Sequence, residues 1–265
     1  ARRRRTAGGN AGNRVSSPAA PYASTLAGLS AAHPLLGIAL CHHRNFRGQP
    51  LKFSTMPYLV ELYRDFPVLD GADAVKAVQT GWTELVVQLA FERAGWQARN
   101  VAYVLPKGRA RDNFVQTRID PPLRRVPAYR RLVPGNEIED ETPQKKDSGW
   151  DADDEGGPGN LQIKRFGAGS LRFLGSNIAD DFVEFTCDVL IIDEYDHCDE
   201  PNLFLAKDRL RASPHPQMYR LGNPTSPGLG IAKLYDEGDG RRYHWRCAAC
   251  NERQPLAWDE NIVRR

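Results

Sequence analysis

The most constraining feature of the sequence is a short apolar run that ends in two adjacent carboxylates. Val189 to Ile192 is too short for a helix, has the apolar character of a strand buried in a parallel sheet, and is followed directly by Asp193 and Glu194. Open α/β sheets bind ligands at the carboxyl ends of their strands, where these acids fall. Asp193 is therefore a candidate Mg²⁺ ligand, and Glu194 a candidate for polarising a water that attacks a phosphate. The alternative is a strand that ends in an ordinary acidic turn.

A second segment supplies a candidate phosphate-binding loop. A short strand over Ala74 to Ala77 precedes a loop with one glycine, Gly81, and the pattern predicts that an apolar helix begins near Thr83. Free backbone N–H groups and the positive end of the helix dipole favour anions at such a position. The standard Gly-x-x-x-x-Gly-Lys-Ser/Thr pattern is absent because Trp82 occupies the usual lysine position. Taken alone, the segment is better explained as an ordinary strand-to-helix turn.

Three side chains around this loop are candidates for binding a nucleotide and its metal. Lys76, at the end of the strand, can supply positive charge from the other side of the loop, and Thr83 can place its hydroxyl on Mg²⁺. Upstream, an aromatic stripe at helical spacing follows Pro57, and such a stripe is more often core than ligand site. Its member Tyr58 is kept as a candidate for stacking on adenine.

The remaining segments predict an α/β sheet with helical crossovers. A strand over residues 100–106, a hairpin over 162–174 and a strand over 216–222 alternate with helical patterns. Asn223 and Thr225, in the exit loop of the last strand, are candidates to sense a γ-phosphate, although a Gly-Asn-Pro turn needs no chemistry.

Three arginines are candidates to contact a phosphate from a loop, in their own or a neighbouring subunit. Arg109 and Arg111 follow the strand over 100–106, and Arg172 belongs to the hairpin. Ordinary surface arginines are the default interpretation. The acidic, apolar-poor segment 134–160 predicts a surface loop.

Composition bounds the class of protein. A chain of 265 residues with 41% apolar residues is long enough for one large domain with appendages, and a net charge of +3 is too small to indicate nucleic-acid binding by itself. Residues 1–45 are predicted to be a basic, flexible arm, within which the apolar content of Leu29 to Leu40 makes it a candidate first helix. Five cysteines, an odd number, and the absence of an apolar run of 18 residues favour a soluble protein of a reducing compartment, neither secreted nor membrane-bound.

The cysteines near the end of the chain have zinc-ligand spacing. Cys247 and Cys250 form a Cys-x-x-Cys knuckle, which is half of a tetrahedral Zn²⁺ site. A metal-free pair is the default, and the alternative is that His244 with a distant cysteine, or cysteines beyond residue 265 of a longer protein, complete the site.

In their order along the chain, these features resemble the ATPase half of the large terminase subunit of tailed bacteriophages, most of all its lambda-type branch. The resemblance spans roughly residues 46–260 and is most specific from Lys76 to Thr83, at Asp112-Asn-Phe114, and from Ser176 to Glu194. It implies a RecA-like (ASCE) P-loop NTPase domain over residues 46–240, with a mainly parallel central sheet flanked by helices. Residues 241–265 would then be the knuckle and the start of a linker to a nuclease domain outside this chain, so no nuclease activity is expected.

The resemblance also implies the roles of individual residues. Members of that branch place the phosphate-loop lysine before the loop, which resolves the objection raised by Trp82. Thr83 and Asp193 would share Mg²⁺, Glu194 would activate water, and the segment from Asn223 to Thr225 would couple hydrolysis to movement. The implied phosphate-binding set is Lys76, Gln79, Thr80, Gly81, Trp82 and Thr83.

The function that the resemblance implies is a motor that uses ATP and Mg²⁺ to thread double-stranded DNA into a procapsid. The implied partners are the portal protein, the small terminase subunit and further copies in a five-membered ring, in the cytoplasm of an infected bacterium, with the isolated domain a possible monomer.

Two alternatives stay open at this point. One is another RecA-like nucleic-acid translocase or helicase, and the other is a non-catalytic assembly module whose nucleotide site has decayed, which Trp82 favours and Glu194 opposes.

Overall fold

The computed structural model describes residues 31–134 and 160–255, and within these ranges six strands form one sheet. The strands are β1 (Gly71–Val75), β2 (Asn100–Leu105), β3 (Ile163–Phe166), β4 (Gly169–Gly175), β5 (Val189–Ile192) and β6 (Gln217–Gly222). Their order across the sheet is β1-β6-β5-β2-β4-β3. Every neighbouring pair is parallel except β3 and β4, which form the predicted antiparallel hairpin.

Helices connect and flank these strands. They are α1 (Pro34–Cys41), α2 (Tyr58–Asp65), α3 (Trp82–Phe91), α4 (Gly108–Phe114), α5 (Asp120–Arg125), α6 (Pro127–Arg130), α7 (Glu200–Asp208) and α8 (Gly230–Asp236). Helices α3 and α4 continue as single π-helical turns, and short 3₁₀ turns cover Phe66–Val68, Ala179–Phe182 and Tyr195–His197. A separate antiparallel pair joins β7 (His244–Arg246) to β8 (Arg253–Pro255).

Strand β5 is apolar at every position because it is buried on both faces. Val189 and Ile191 pack into the apolar cluster on one side of the sheet, and Leu190 and Ile192 pack into the cluster on the other. Side chains alternate across a strand, so a central parallel strand covered by helices on both sides requires an unbroken apolar run. This arrangement explains why the sequence pattern predicts the strand correctly.

The sheet order decides which residues can meet. Strand β6 lies between β1 and β5, and these three strands run in the same direction, so their carboxyl ends lie side by side at one edge. The ends carry Lys76, Asn223 and Asp193, in that order across the sheet. The mainly parallel sheet flanked by helices confirms the predicted α/β class and is consistent with a RecA-like ATPase domain.

The folded part of the chain begins before residue 46, so the predicted flexible arm over residues 1–45 is too long. Leu35, Leu36 and Ala39 of α1 are buried in the larger apolar cluster. The helix is apolar nearly all round, and it therefore lacks the periodicity by which a sequence reveals an amphipathic helix. The basic tetrad Arg2 to Arg5 and most of the predicted acidic loop, residues 135–159, lie outside the described residues.

None of the helices in the described ranges has both the length and the apolar character needed to cross a membrane.

A buried ion pair joins the hairpin to α5. The side chain of Lys164 on β3 is 1% exposed, and its Nζ lies 2.8 Å from Asp120 Oδ1. Burial lowers the pKa of Lys164 below the usual lysine value, and the Asp120 carboxylate offsets only part of that shift. The ammonium therefore depends on Asp120 for much of its stabilisation in the folded state.

We expect Asp120→Ala to lower the free energy of unfolding by about 3 kcal/mol at neutral pH, because it breaks a buried ion pair by removing one of its two charges. Urea denaturation monitored by circular dichroism measures this value. The folded-state pKa of Lys164 then lies further below that of the unfolded chain, so the unfolded chain binds more protons and stability rises as the pH is raised towards 10.5.

Asp208→Ala, which breaks the exposed pair with Arg211, is the control and changes stability by less than about 1 kcal/mol. An Asp120→Ala loss no larger than that of the control would contradict the prediction.

Candidate active site

The side chain of Lys76 is the centre of the site at the carboxyl edge of the sheet. Lys76 is only 6% exposed. Its Nζ contacts Asp193 Oδ1, lies 3.0 Å from Glu194 Oε1 and donates to Thr83 Oγ1 at 3.4 Å. Its backbone N–H donates to the carbonyl of Gly222 at 2.9 Å, which continues the pairing of β1 with β6. One ammonium thus touches side-chain oxygens from both the loop and the acidic strand.

The charge of Lys76 is maintained by these contacts. Burial by itself lowers the pKa of the ammonium, but Asp193 and Glu194 together outweigh burial and raise the pKa above the ordinary lysine value. The positive charge at this loop therefore comes from a lysine that precedes it, and the tryptophan at the usual lysine position does not remove it.

Asp193 is held in place from two sides. It is 2% exposed, its Oδ2 accepts a hydrogen bond from the hydroxyl of Tyr103 at 2.9 Å, and its Oδ1 accepts from the backbone N–H of Glu194 at 3.0 Å. Burial, and then the negative charge of Asp193, raise the pKa of Tyr103 well above the usual tyrosine value, so the hydroxyl remains a donor. Tyr103 was not predicted as a site residue, because in the sequence it is one apolar-looking position within a buried strand.

Glu194 differs from its neighbour in both exposure and backbone conformation. Its side chain is 41% exposed, while that of Asp193 is nearly inaccessible. Its φ of 57° and ψ of 47° lie in the left-handed region, which costs a non-glycine residue roughly 1–2 kcal/mol. This conformation turns the chain sharply after β5 into the 3₁₀ turn Tyr195–His197, and it leaves the Asp193 carboxylate buried and the Glu194 side chain partly exposed.

The loop between β1 and α3 has the backbone of an anion cradle. Gln79 and Gly81 have φ values of 61° and 85°, and a Cβ added to Gly81 would come 2.9 Å from Leu59 Cδ1. Helix α3 begins at Trp82, one residue earlier than predicted, and no side chain caps its amino terminus. The first N–H groups of the helix are therefore available to an anion.

Two aromatic residues shape the same loop. The hydroxyl of Tyr58 donates to the carbonyl of Thr80 at 3.0 Å, and its ring meets that of Tyr243 edge-on with centroids 5.8 Å apart. Trp82 packs its ring against Phe66 at 5.5 Å, which directs the indole towards the core. The indole of Trp82 therefore belongs to the core packing beneath the loop.

The donors present fit a magnesium ion. The Nζ of Lys76 contacts Thr83 Oγ1 and Asp193 Oδ1 at the same time, which shows that both oxygens lie within reach of one cation. Hydroxyl and carboxylate oxygens are the ligands that Mg²⁺ prefers, usually one or two from the protein with the remainder from water and phosphate. Thr83 and Asp193 are therefore the residues that would hold it.

The segment after β6 contacts the acidic turn. The backbone N–H and Oγ1 of Thr225 donate to Asp196 Oδ2 at 2.9 and 3.1 Å, while Asn223 is exposed. Asp196 was not singled out in the sequence, although its position two residues after Glu194 was a usable signal.

The three arginine candidates occupy different environments, and the prediction that all lie in loops is wrong. Arg109 is exposed in the first turn of α4. Arg111, also in α4, is buried and pairs with Asp112 at 2.8 Å and with Asp181 at 3.0 Å. Arg172 lies in the middle of β4, so the hairpin pattern placed it correctly but the loop assignment did not.

The cysteine knuckle forms the turn between β7 and β8. The Cys247 carbonyl accepts from Asn251 N at 2.9 Å, and backbone N–H groups of Cys250 and Ala249 lower the pKa of the half-buried Cys247 thiol. Within residues 31–134 and 160–255, no three His, Cys, Asp or Glu residues come together as a metal-binding group. The described structure therefore supplies two zinc-type ligands, and the presence of zinc stays a prediction.

The mainly parallel sheet, with a lysine at one strand end opposite an aspartate and a glutamate at another, is consistent with an ATPase domain of the RecA-like class. Comparison with known families is more specific. Residues 48–264 match the model of the family described as phage terminase large subunit gpA, ATPase domain, and the chain belongs to that family.

Two curated relatives bear similar descriptions. The large terminase subunit of Enterobacteria phage P21 is 24% identical over 226 residues, which cover 80% of this chain and 32% of the relative. The large terminase subunit of Escherichia phage lambda is 25% identical over 199 residues, which cover 71% of this chain and 28% of the relative. The chain thus spans about a third of the length of these relatives.

We expect Tyr103→Phe to destabilise the fold by about 1–2 kcal/mol, because the buried carboxylate of Asp193 loses a hydrogen-bond donor while the ring packing is kept. Urea unfolding of the purified chain measures the effect. Tyr235→Phe removes a hydroxyl that donates to an exposed carbonyl and is the matched control, with a change of less than about 0.5 kcal/mol. Equal effects of the two variants would show that Tyr103 does not support Asp193.

Proposed function

We propose that the chain hydrolyses ATP in the presence of Mg²⁺ and uses the reaction to move double-stranded DNA into a viral procapsid. The observation that carries the proposal is the convergence of Lys76 with Thr83, Asp193 and Glu194 at the mouth of the loop. Membership of the terminase ATPase family supports the same conclusion.

In this proposal each residue at the edge of the sheet has a separate task. Lys76 and the backbone from Gln79 to Thr83 bind the β- and γ-phosphates, since cationic and N–H donors stabilise the charge that develops during phosphoryl transfer. Thr83 and Asp193 hold Mg²⁺, which neutralises phosphate charge when bound. Tyr58, beside the loop, contacts the adenine.

Glu194 acts on the attacking water. Its exposed carboxylate extends from a backbone fixed in the left-handed conformation, so it can accept a proton from a water while the buried Asp193 stays on the metal side. Asn223 and Thr225 sense the γ-phosphate from the neighbouring strand end. Of the three arginine candidates, Arg109 is the exposed one, and we propose that it acts as the finger of its own or an adjacent subunit.

The partners follow from the family and belong to the same proposal. They are double-stranded DNA, the portal protein of the procapsid, the small terminase subunit and further copies of the chain in a ring, in the cytoplasm of the infected host. Cys247 and Cys250 supply two ligands to Zn²⁺ in the full-length protein.

The residue roles predict different defects in two variants. We expect Glu194→Gln to bind Mg²⁺-ATP within about twofold of wild type and to lose roughly 10²- to 10⁴-fold in kcat, since it removes only the base. Lys76→Ala is expected to lose binding, since it removes the charge that faces the phosphates. Isothermal titration and a phosphate-release assay measure the two effects.

Matched controls for these variants are Glu61→Gln and Lys52→Ala, both on exposed side chains away from the loop. Thermal unfolding is measured on each variant, because Lys76→Ala also leaves Asp193 buried without its cation. Equal, weak binding by wild type and both variants with no turnover would contradict the proposal and favour a non-catalytic assembly module.

Nucleic-acid preference separates the motor from another RecA-like translocase. We expect blunt double-stranded DNA to stimulate ATP hydrolysis several-fold at low salt and less at high salt, since contacts to phosphates are screened. The assay compares blunt duplex, single-stranded DNA and a forked duplex with a fluorescent strand. Stimulation by single strands alone, or unwinding of the fork, would instead favour a helicase.

A further inference from the structure

The carboxylate of Asp196 accepts hydrogen bonds from two segments outside the sheet, the exit loop of β6 and the first turn of α8. Asp196 lies in the 3₁₀ turn directly after Glu194. Its Oδ1 accepts from the backbone N–H of Ile231 at 2.7 Å, and its Oδ2 accepts from both the N–H and the hydroxyl of Thr225 at 2.9 and 3.1 Å. Each oxygen is therefore committed to a different segment, one to the exit loop of β6 and the other to the first turn of α8.

The turn that carries Asp196 is rigidly attached to Glu194. The backbone N–H of His197 donates to the Glu194 carbonyl at 2.9 Å, and that of Glu194 donates to Asp193 Oδ1 at 3.0 Å. Cys198 N closes the same turn on the carbonyl of Tyr195 at 3.0 Å. Glu194 and Asp196 therefore belong to one hydrogen-bonded turn.

Close packing leaves little free space around this connection. A Cβ added to Gly230, whose φ is +54°, would collide with the Asp196 carboxylate, and one added to Gly222 would come 3.3 Å from the backbone nitrogen of Tyr195. The Gly222 carbonyl in turn accepts from the backbone N–H of Lys76. The segment from Gly222 to Ile231 is thus in contact with the phosphate-loop strand at one end and with the acidic turn at the other.

We propose that Asp196 is a positioning residue that transmits movement between Glu194 and the Thr225–Ile231 segment. The inference rests on the proposed function, because the movement it transmits is the response to ATP. When Mg²⁺-ATP binds beside Lys76, the shift of the acidic turn reaches Thr225 and α8 through the two oxygens of Asp196. Conversely, a force on α8 alters the position of the carboxylate of Glu194.

The role requires a carboxylate because both of its oxygens accept. An asparagine has one oxygen and one NH₂ group, so in either orientation its NH₂ faces a backbone N–H of Thr225 or Ile231 and one of the two backbone hydrogen bonds is lost. Asp196→Asn therefore breaks the connection at almost unchanged volume. Thr225→Val removes only the hydroxyl donor, and Thr225→Ser retains it.

The experiment measures hydrogen–deuterium exchange with and without Mg²⁺-ATP, alongside steady-state hydrolysis. In the wild type, ATP is expected to change the exchange of peptides covering residues 223–231. In Asp196→Asn we expect ATP binding within about threefold of wild type, and we expect ATP no longer to alter hydrogen exchange over residues 223–231. We expect kcat to fall by up to about tenfold, which corresponds to one lost charge-assisted hydrogen bond. Thr225→Val is expected to show part of the same defect. Thr225→Ser, which keeps the hydroxyl, is expected to behave like wild type.

Asp199→Asn is the matched control, because Asp199 caps α7 by accepting from Asn202 N at 3.3 Å and lies outside the connection. The oxygen of an asparagine caps a helix about as well as that of an aspartate, so Asp199→Asn is expected to leave both thermal stability and the ATP-dependent exchange nearly unchanged. If Asp196→Asn behaves like this control, or if wild type binds ATP with no exchange change over 223–231, the positioning role is wrong while the proposed function stands. Failure of the wild type to bind ATP would instead overturn the proposed function, and the inference with it.

Discussion

The interaction on which the site depends is the contact of one buried ammonium with two carboxylates and a hydroxyl. Removing an unpaired charge from water costs several kcal/mol, so neither Lys76 nor Asp193 would be buried without the other. Their pairing fixes the end of β1 against the end of β5, although β6 separates the two strands. The same groups are those that a phosphate and a magnesium ion need, which is why a structural constraint and a candidate catalytic arrangement coincide here.

Strand β6 links the lysine at the end of β1 to the acidic turn that follows β5. Strand β6 is hydrogen-bonded to both β1 and β5, so its exit segment contacts the lysine end and the acidic turn. Asp196 then extends the connection to α8. If the chain binds ATP as proposed, this series of hydrogen bonds and close contacts joins the nucleotide to a surface helix.

Much of the fold was predictable, for physical reasons that differ between elements. Strand β5 was recognised because burial on both faces demands an unbroken apolar run, and the hairpin of β3 and β4 because its pattern alternates. Helix α1 overlaps the candidate helix Leu29 to Leu40, but its place in the core was not predicted and it was left within the arm, because a helix that is apolar nearly all round has no periodicity to show which face is buried. Of the candidate site, Lys76, Thr83, Asp193 and Glu194 were predicted from their positions at strand and helix ends, and the structure brings the four side chains together, while their roles stay predictions. The contributions of Tyr103 and Asp196 depend on which strands are neighbours, and a single sequence does not contain that order.

The most direct test of the account is a crystal structure of the chain with Mg²⁺ and a non-hydrolysable ATP analogue. The account predicts that the β- and γ-phosphates contact Lys76 Nζ and the backbone N–H groups from Gln79 to Thr83, with the metal bound to Thr83 and Asp193 and the side chain of Glu194 directed at the γ-phosphate. A complex in which the phosphates lie elsewhere while Lys76 keeps its contacts with Asp193 and Glu194 would contradict the central claim, because the lysine would then be a structural cation only.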